Sequence, residues 1–78
     1  MSDKIKNRVV IKSLQDQDGL RCVDLFQINN GTISWDEWRR DPEDPSGWRP
    51  TGRRSATEFF EQDDALEEAI KYVEWLKR

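Results

Sequence analysis

The side chains with the clearest chemical potential are carboxylates that crowd into one short stretch. Five of them occur within nine residues: Asp36, Glu37, Asp41, Glu43 and Asp44. Oxygen ligands of this kind suit Ca²⁺ or Mg²⁺, and paired carboxylates can cleave glycosidic bonds. Pro42 and Pro45 break the alternation of an EF-hand loop, and a chain of 78 residues is too small to build a substrate cleft. We predict that these acids form salt bridges that hold a loop, with no metal, no cofactor and no catalytic residue.

The chain has a single cysteine, Cys22, and no histidine. The commonest general base is therefore missing, and a structural zinc site lacks its ligands. The lack of a second cysteine is typical of a reducing compartment, and the first residues contain no apolar run like that of a secretion signal. The strand pattern places Cys22 on the apolar face, which favours an inert thiol over a redox nucleophile. We expect a cytoplasmic protein that is not an enzyme, with no membrane partner and no small-molecule substrate.

Tryptophans and arginines alternate over the middle of the chain and form the candidate partner-binding surface. Aromatic rings stack on nucleic-acid bases and arginines bind phosphates, but the same residue types also dominate protein interfaces. In the simpler alternative, Trp35 and Trp48 complete a small core and the arginines pair with neighbouring acids. The candidate surface also includes two aliphatic residues, and its members are Val23, Leu25, Trp38, Arg39, Arg40, Trp48, Arg49, Arg53 and Arg54.

Hydrophobic periodicity predicts the elements that position these residues. Short β-branched runs indicate strands at 8–14, 20–28 and 32–40, with a possible fourth at 55–60. Three prolines and two glycines predict an irregular loop over 41–54. Apolar residues spaced at helical intervals predict a helix over 64–77, with Asp64 as N-cap and Glu67 completing a capping box.

The register of the central hairpin decides which side chains share a face. A two-residue Asn30-Gly31 turn pairs Ile28 with Ile33 and Phe26 with Trp35, which collects large apolar residues on one side. A three-residue loop instead pairs Phe26 with Ser34. We prefer the two-residue turn, which predicts that the helix covers the face carrying Phe26, Ile28, Ile33 and Trp35. Val23, Leu25 and Trp38 then lie on the open face.

The sequence therefore predicts one α+β domain over residues 1–78. Its core is an antiparallel meander of three or four strands, with one C-terminal amphipathic helix on one face, and residues 1–6 are expected to fray. The favoured function is a small interaction module that binds a protein partner, or a second copy, through the open sheet face. The alternative is a single-stranded nucleic-acid binder that uses the Trp/Arg surface.

Overall fold

A four-stranded antiparallel sheet followed by a helix makes up the domain. The computed structural model describes residues 8–77, and the expected fraying of 1–6 concerns residues outside that range. The strands lie in the order β1-β2-β3-β4, which confirms the predicted α+β meander. The elements are β1 (Arg8–Gln15), β2 (Arg21–Ile28), β3 (Ile33–Arg39), β4 (Arg49–Arg54), α1 (Gln62–Tyr72) and a 3-10 turn (Glu74–Leu76). Among residues 8–77, no helix has the length and apolar character needed to cross a membrane.

The hairpin between β2 and β3 adopts the register that the sequence argument rejected. Phe26 lies opposite Ser34, so the preferred two-residue turn is wrong by one residue. The loop has three residues, because the Ile28 N–H donates to the Thr32 carbonyl at 2.9 Å and the Gly31 N–H donates to the Ile28 carbonyl at 2.8 Å. A type I′ turn needs positive φ at both central residues, whereas within residues 8–77 positive φ is confined to glycines, including Gly31 at 90°.

The Asn30 side chain provides the physical reason for this loop. Its Oδ1 accepts hydrogen bonds from the Thr32 N–H at 3.0 Å and from the Thr32 hydroxyl at 2.7 Å. Asparagine readily folds onto the backbone two residues ahead in this way. The Asn-Gly pair was thus interpreted correctly as a hairpin signal, but it stabilises a longer loop.

The observed register reverses the faces of β2 alone, whereas Ile33 and Trp35 of β3 lie under the helix as predicted. The core consists of Val23, Leu25, Ile33 and Trp35 beneath Ala65, Ala69 and Val73 of the C-terminal segment. Val23 and Leu25 are fully buried, so their predicted place on the open face is wrong. Phe26 lies on the opposite face, because alternate residues of a strand point to opposite sides.

The helix begins earlier and ends earlier than predicted. Glu61 occupies the N-cap position, and within the described chain its side chain makes no capping hydrogen bond, so the capping box at Asp64 is wrong. The buried positions Ala65 and Ala69 are small, which lets α1 lie close to the sheet, while Ile70 is 38% exposed. Val73 is extended (φ −103°, ψ 107°) and separates α1 from the 3-10 turn.

The fourth strand forms within the stretch that was predicted to be a loop. β4 is Arg49–Arg54, and the predicted strand at 55–60 contributes only an isolated bridge between Phe59 and Ile33. β4 lies at the edge of the sheet, where proline and glycine are tolerated because one side of the strand needs no ladder. A bulge opposite Asp36–Trp38 and the positive φ of Gly52 (92°) accommodate the irregularity.

Removal of a core side chain tests the observed register. We expect Leu25→Ala to lower the free energy of unfolding by about 2–5 kcal/mol, because it leaves a cavity under α1. Phe60→Ala is the matched control, since the Phe60 side chain is 85% exposed, and it should change stability by about 0.5 kcal/mol or less. Urea denaturation followed by tryptophan fluorescence measures both. Equal effects would contradict the assignment of faces.

Candidate interaction surface

Three arginines lie side by side across β2, β3 and β4. Arg21 is opposite Arg39, and Arg39 is opposite Arg49. We call these three residues the arginine row. Arg21 and Arg39 alternate with Val23 and Glu37 of the core, so the row lies on the helix side of the sheet, beyond the part that the helix covers. With neighbouring strands about 4.8 Å apart, the row spans about 10 Å.

The arginine row forms part of an open groove of about 610 Å³. Arg49 is held by an ion pair with Asp44 at 2.9 Å and a hydrogen bond to the Ser46 hydroxyl at 2.9 Å. In contrast, the side chains of Arg21 and Arg39 make no hydrogen bond or ion pair with any residue of the described range 8–77. Like charges directly opposite in a sheet repel each other. A bound anion would reduce this repulsion, so the groove is suited to anionic ligands. The other lining residues are Glu37, Arg40, Asp41, Pro50, Thr51 and Arg53.

The loop between β3 and β4 fixes the far end of the groove. Hydrogen bonds from the Ser46 hydroxyl and N–H to the Asp44 carboxylate, together with attraction from Arg49, lower the pKa of Asp44 below its ordinary 3.8. The Asp41 carboxylate accepts the Glu43 N–H at 3.0 Å. Asp41 and Asp44 thus hold the loop as predicted, and Asp44 orients Arg49. Asp36 and Glu37 of the predicted acidic cluster instead pair outside the loop, with Arg8 and Arg53.

A buried carboxylate, Glu37, closes the core next to the arginine row. Only 3% of Glu37 is exposed. Its Oε2 accepts the Trp75 indole N–H at 2.6 Å, its Oε1 accepts the Thr51 hydroxyl at 2.9 Å, and the Arg53 Nε lies 3.6 Å from Oε1. Arg53 also donates to the Tyr72 carbonyl at 3.0 Å. Glu37 therefore joins β3, β4 and the C-terminal turn, and Arg53 serves structure.

The predicted Trp/Arg surface is divided between the two faces of the sheet. Trp38 and Trp48 are half-buried on the face opposite the helix, where they line a groove of about 310 Å³ with Cys22 and Asp24. The Arg40 guanidinium lies 4.7 Å from the Trp48 ring centre, and its Nε donates to the Gly19 carbonyl at 2.9 Å. The folded-back loop therefore covers part of the face that was expected to be open.

The remaining predicted residues fall in separate places. Arg39 and Arg49 lie in the arginine row, whereas Arg54 is exposed and opposite Asp36 on the other face. Arg21 was absent from the candidate set, because only the observed register brings it beside Arg39. Across residues 8–77, the acids and Cys22 form no group of three that could hold a metal ion.

Arg8 was also missed by the sequence argument. Its guanidinium lies 3.8 Å from the Phe26 ring centre and donates two hydrogen bonds to Asp36, at 3.0 and 3.1 Å. Asp36 also accepts the Trp38 indole N–H at 2.9 Å. This cluster links β1, β2 and β3 on the face opposite the helix, and it holds Trp38 in place.

Cys22 is buried on that same face, not on the core face that was predicted. Its cross-strand neighbour is Trp38, whereas the predicted register with a two-residue turn places Arg39 opposite Cys22. Burial raises the pKa of the thiol from 9.0 to about 11, a hydrogen bond with Ser13 opposes the change, and Asp24 adds to it. The thiol therefore stays protonated at neutral pH, and a protonated thiol is a poor nucleophile.

Comparisons with protein-family models, with curated proteins and with solved structures gave no match to this chain. The functional argument therefore rests on the surfaces described above.

The raised pKa of Cys22 predicts an alkaline loss of stability. The folded pKa of about 11 lies above the ordinary 9.0, so between these values the unfolded chain releases the thiol proton and the folded chain keeps it. Stability should therefore fall as pH rises from 9 to 11. Cys22→Ala should reduce this fall relative to the native protein. Urea denaturation at pH 8, 9, 10 and 11 measures the free energy of unfolding of both proteins. If it falls equally with pH in the native protein and in Cys22→Ala, the burial of the thiol is contradicted.

The Glu37 contacts predict a measurable coupling between β3 and the C-terminal turn. Glu37→Gln should lower the free energy of unfolding by about 1–3 kcal/mol, because one buried donor loses its charged acceptor. Trp75→Phe removes the indole N–H, and the two changes should be non-additive by at least about 0.5 kcal/mol in a double-mutant cycle. Glu68→Gln is the control, since Glu68 accepts the Trp35 indole N–H at 2.9 Å at a less buried position. Additive effects of Glu37→Gln and Trp75→Phe would contradict the network.

Proposed function

We propose that this domain is a non-enzymatic interaction module that binds a short acidic segment of a protein partner through the arginine row. The supporting observation is the direct juxtaposition of Arg21, Arg39 and Arg49 across three strands. Two of these guanidiniums have no side-chain partner within residues 8–77. An anionic ligand would relieve their mutual repulsion and supply those partners.

The dimensions and chemistry of the row favour carboxylates on an extended chain. A guanidinium presents a planar fork that binds a carboxylate through two parallel hydrogen bonds. Alternate side chains of an extended segment recur about every 6.8 Å, so two acids spaced by one residue fit within a row of about 10 Å. Arg39 lies at the centre of the row, between Arg21 and Arg49, and would contribute most to binding.

Protein is favoured over single-stranded nucleic acid because the aromatic and cationic side chains are on opposite faces. Nucleic-acid grooves combine cations with aromatic platforms on which successive bases stack. Here Trp38 and Trp48 lie on the face opposite the arginine row. The helix side also carries acids in the first turn of α1, Asp63 and Asp64, and the chain has a formal net charge of −3, which disfavours a long polyphosphate.

Charge removal within and outside the row tests the proposal. Fluorescence anisotropy of a labelled peptide with alternating aspartates should show binding at low salt. Arg39→Gln should weaken it about tenfold, the loss expected for a charge-assisted hydrogen bond of about 1.5 kcal/mol. Arg54→Gln is the matched control, because it removes the same charge from the opposite face, and it should change the affinity less than twofold.

The same titration with a labelled oligothymidylate separates the two classes of partner. The proposal requires the oligonucleotide to bind more weakly than the acidic peptide at equal salt. Tighter oligonucleotide binding that Arg39→Gln reduces would replace the proposed partner with nucleic acid. Loss of peptide binding to the same extent in Arg39→Gln and Arg54→Gln would show only non-specific attraction, and it would end the assignment to the row.

A further inference from the structure

The edge formed by β1 is unusually apolar for an exposed strand. β1 pairs only with β2 in the described chain, so its other edge carries free backbone hydrogen-bonding groups. Val9, Val10 and Ile11 are adjacent and are 60%, 48% and 38% exposed. Exposed strand edges of this kind pair readily with other chains, and most proteins block them.

The opposite edge of the sheet is protected more strongly than β1, which carries Arg8, Lys12 and a bulge at Ile11. β4 contains Pro50, which has no backbone N–H, and Gly52 with a φ of 92°. It also carries Arg49, Arg53 and Arg54, and charges on an edge strand discourage pairing. The β4 edge is therefore less able to pair with another strand than the β1 edge.

We propose that β1 pairs antiparallel with β1 of a second copy, so that two sheets join into one sheet of eight strands. A second copy fits because the strand is self-complementary. With the two-fold axis at the Val10–Ile11 peptide, Val10 faces Ile11 of the second copy, Val9 faces its Lys12, and Arg8 faces its Ser13. No like charges are opposed in this register. In the neighbouring register that pairs Val10 with itself, Arg8 would lie opposite Lys12, whose side chain points to the other face because of the bulge at Ile11.

The protected β4 edge explains why this assembly stops at two copies. A two-fold interface uses the same surface of both chains. After β1–β1 pairing, neither chain has a free β1 edge that a third copy could bind. The edges that remain at the ends of the joined sheet are both β4. The register shift at Ile11 bends the strand there, and it limits the strongest pairing to the residues on either side of the bulge.

This interface is independent of the arginine row. The row lies across β2, β3 and β4, whereas the proposed contact is confined to β1. An experiment can therefore disprove peptide binding without affecting the dimer, or the reverse. Arg39→Gln tests the first proposal and Val9→Lys tests the second.

Sedimentation velocity over a range of concentrations tests the dimer. The native protein should change from monomer to dimer between about 1 µM and about 1 mM, the usual range for weak association. Val9→Lys should weaken the dimer at least tenfold, because it opposes the new lysine to Lys12 of the second copy at two symmetric places. The matched control, Phe60→Lys, adds the same charge at an exposed ring on the segment that follows β4, and it should dimerise like the native protein.

A compensating variant tests the register itself. Val9→Lys combined with Lys12→Glu should restore dimerisation, because each lysine at position 9 then faces a glutamate at position 12. Hydrogen exchange should show slower exchange of β1 amides at high concentration, with β4 amides unchanged. The proposal is overturned if the native protein stays monomeric up to about 1 mM. It is also overturned if Val9→Lys dimerises as the native protein does, or if protection appears at β4 or α1 and not at β1.

Discussion

The register between β2 and β3 is the constraint on which the rest of the structure depends. The three-residue loop at 29–31 places Leu25 opposite Trp35, and with it Val23, Leu25, Ile33 and Trp35 face α1. A shift of β2 by one residue would send Val23 and Leu25 to the other face and bring Phe26 under the helix. The same register places Glu37 inside and the arginine row beyond the helix. Asn30, whose side chain bonds to Thr32 and whose backbone does not adopt positive φ, thus affects both the core and the surface.

The burial of Glu37 is the main consequence of this register for stability. An isolated buried carboxylate is costly, and Glu37 is tolerated because an indole N–H, a hydroxyl and a guanidinium surround it. These donors come from β4 and from the 3-10 turn, neither of which contains a fully buried residue. The polar contacts of Glu37 therefore attach β4, whose residues are all exposed, and add to the packing of Trp75 and Leu76 against the core. Within the arginine row, Arg49 is paired with Asp44, so Arg21 and Arg39 are left as the row's available cations.

The sequence predicted the architecture but not the details that build the surface. Period-two and helical apolar patterns are strong signals, so the first three strands and the C-terminal helix were predicted close to their observed positions. The register was not, because the Asn-Gly pair is compatible with both a two-residue and a three-residue loop. Nor was β4, since Pro50 and Gly52 argue against a strand unless it lies at an edge. The arginine row requires both of these facts, so the sequence predicted Arg39 and Arg49 as surface candidates but did not include Arg21.

The two proposed surfaces have a geometric relation that follows from antiparallel pairing. Strands that pair antiparallel within one sheet are related by an axis perpendicular to it, so both helices and both arginine rows would lie on the same face of the joined sheet. Gln15, the last residue of β1, is opposite Cys22, and Arg21 directly precedes Cys22. Each arginine row therefore lies near the C-terminal end of β1. The two rows would therefore lie at opposite ends of that face. A partner with two acidic segments joined by a flexible linker would bind such a pair more tightly than either segment alone, because the second contact becomes intramolecular.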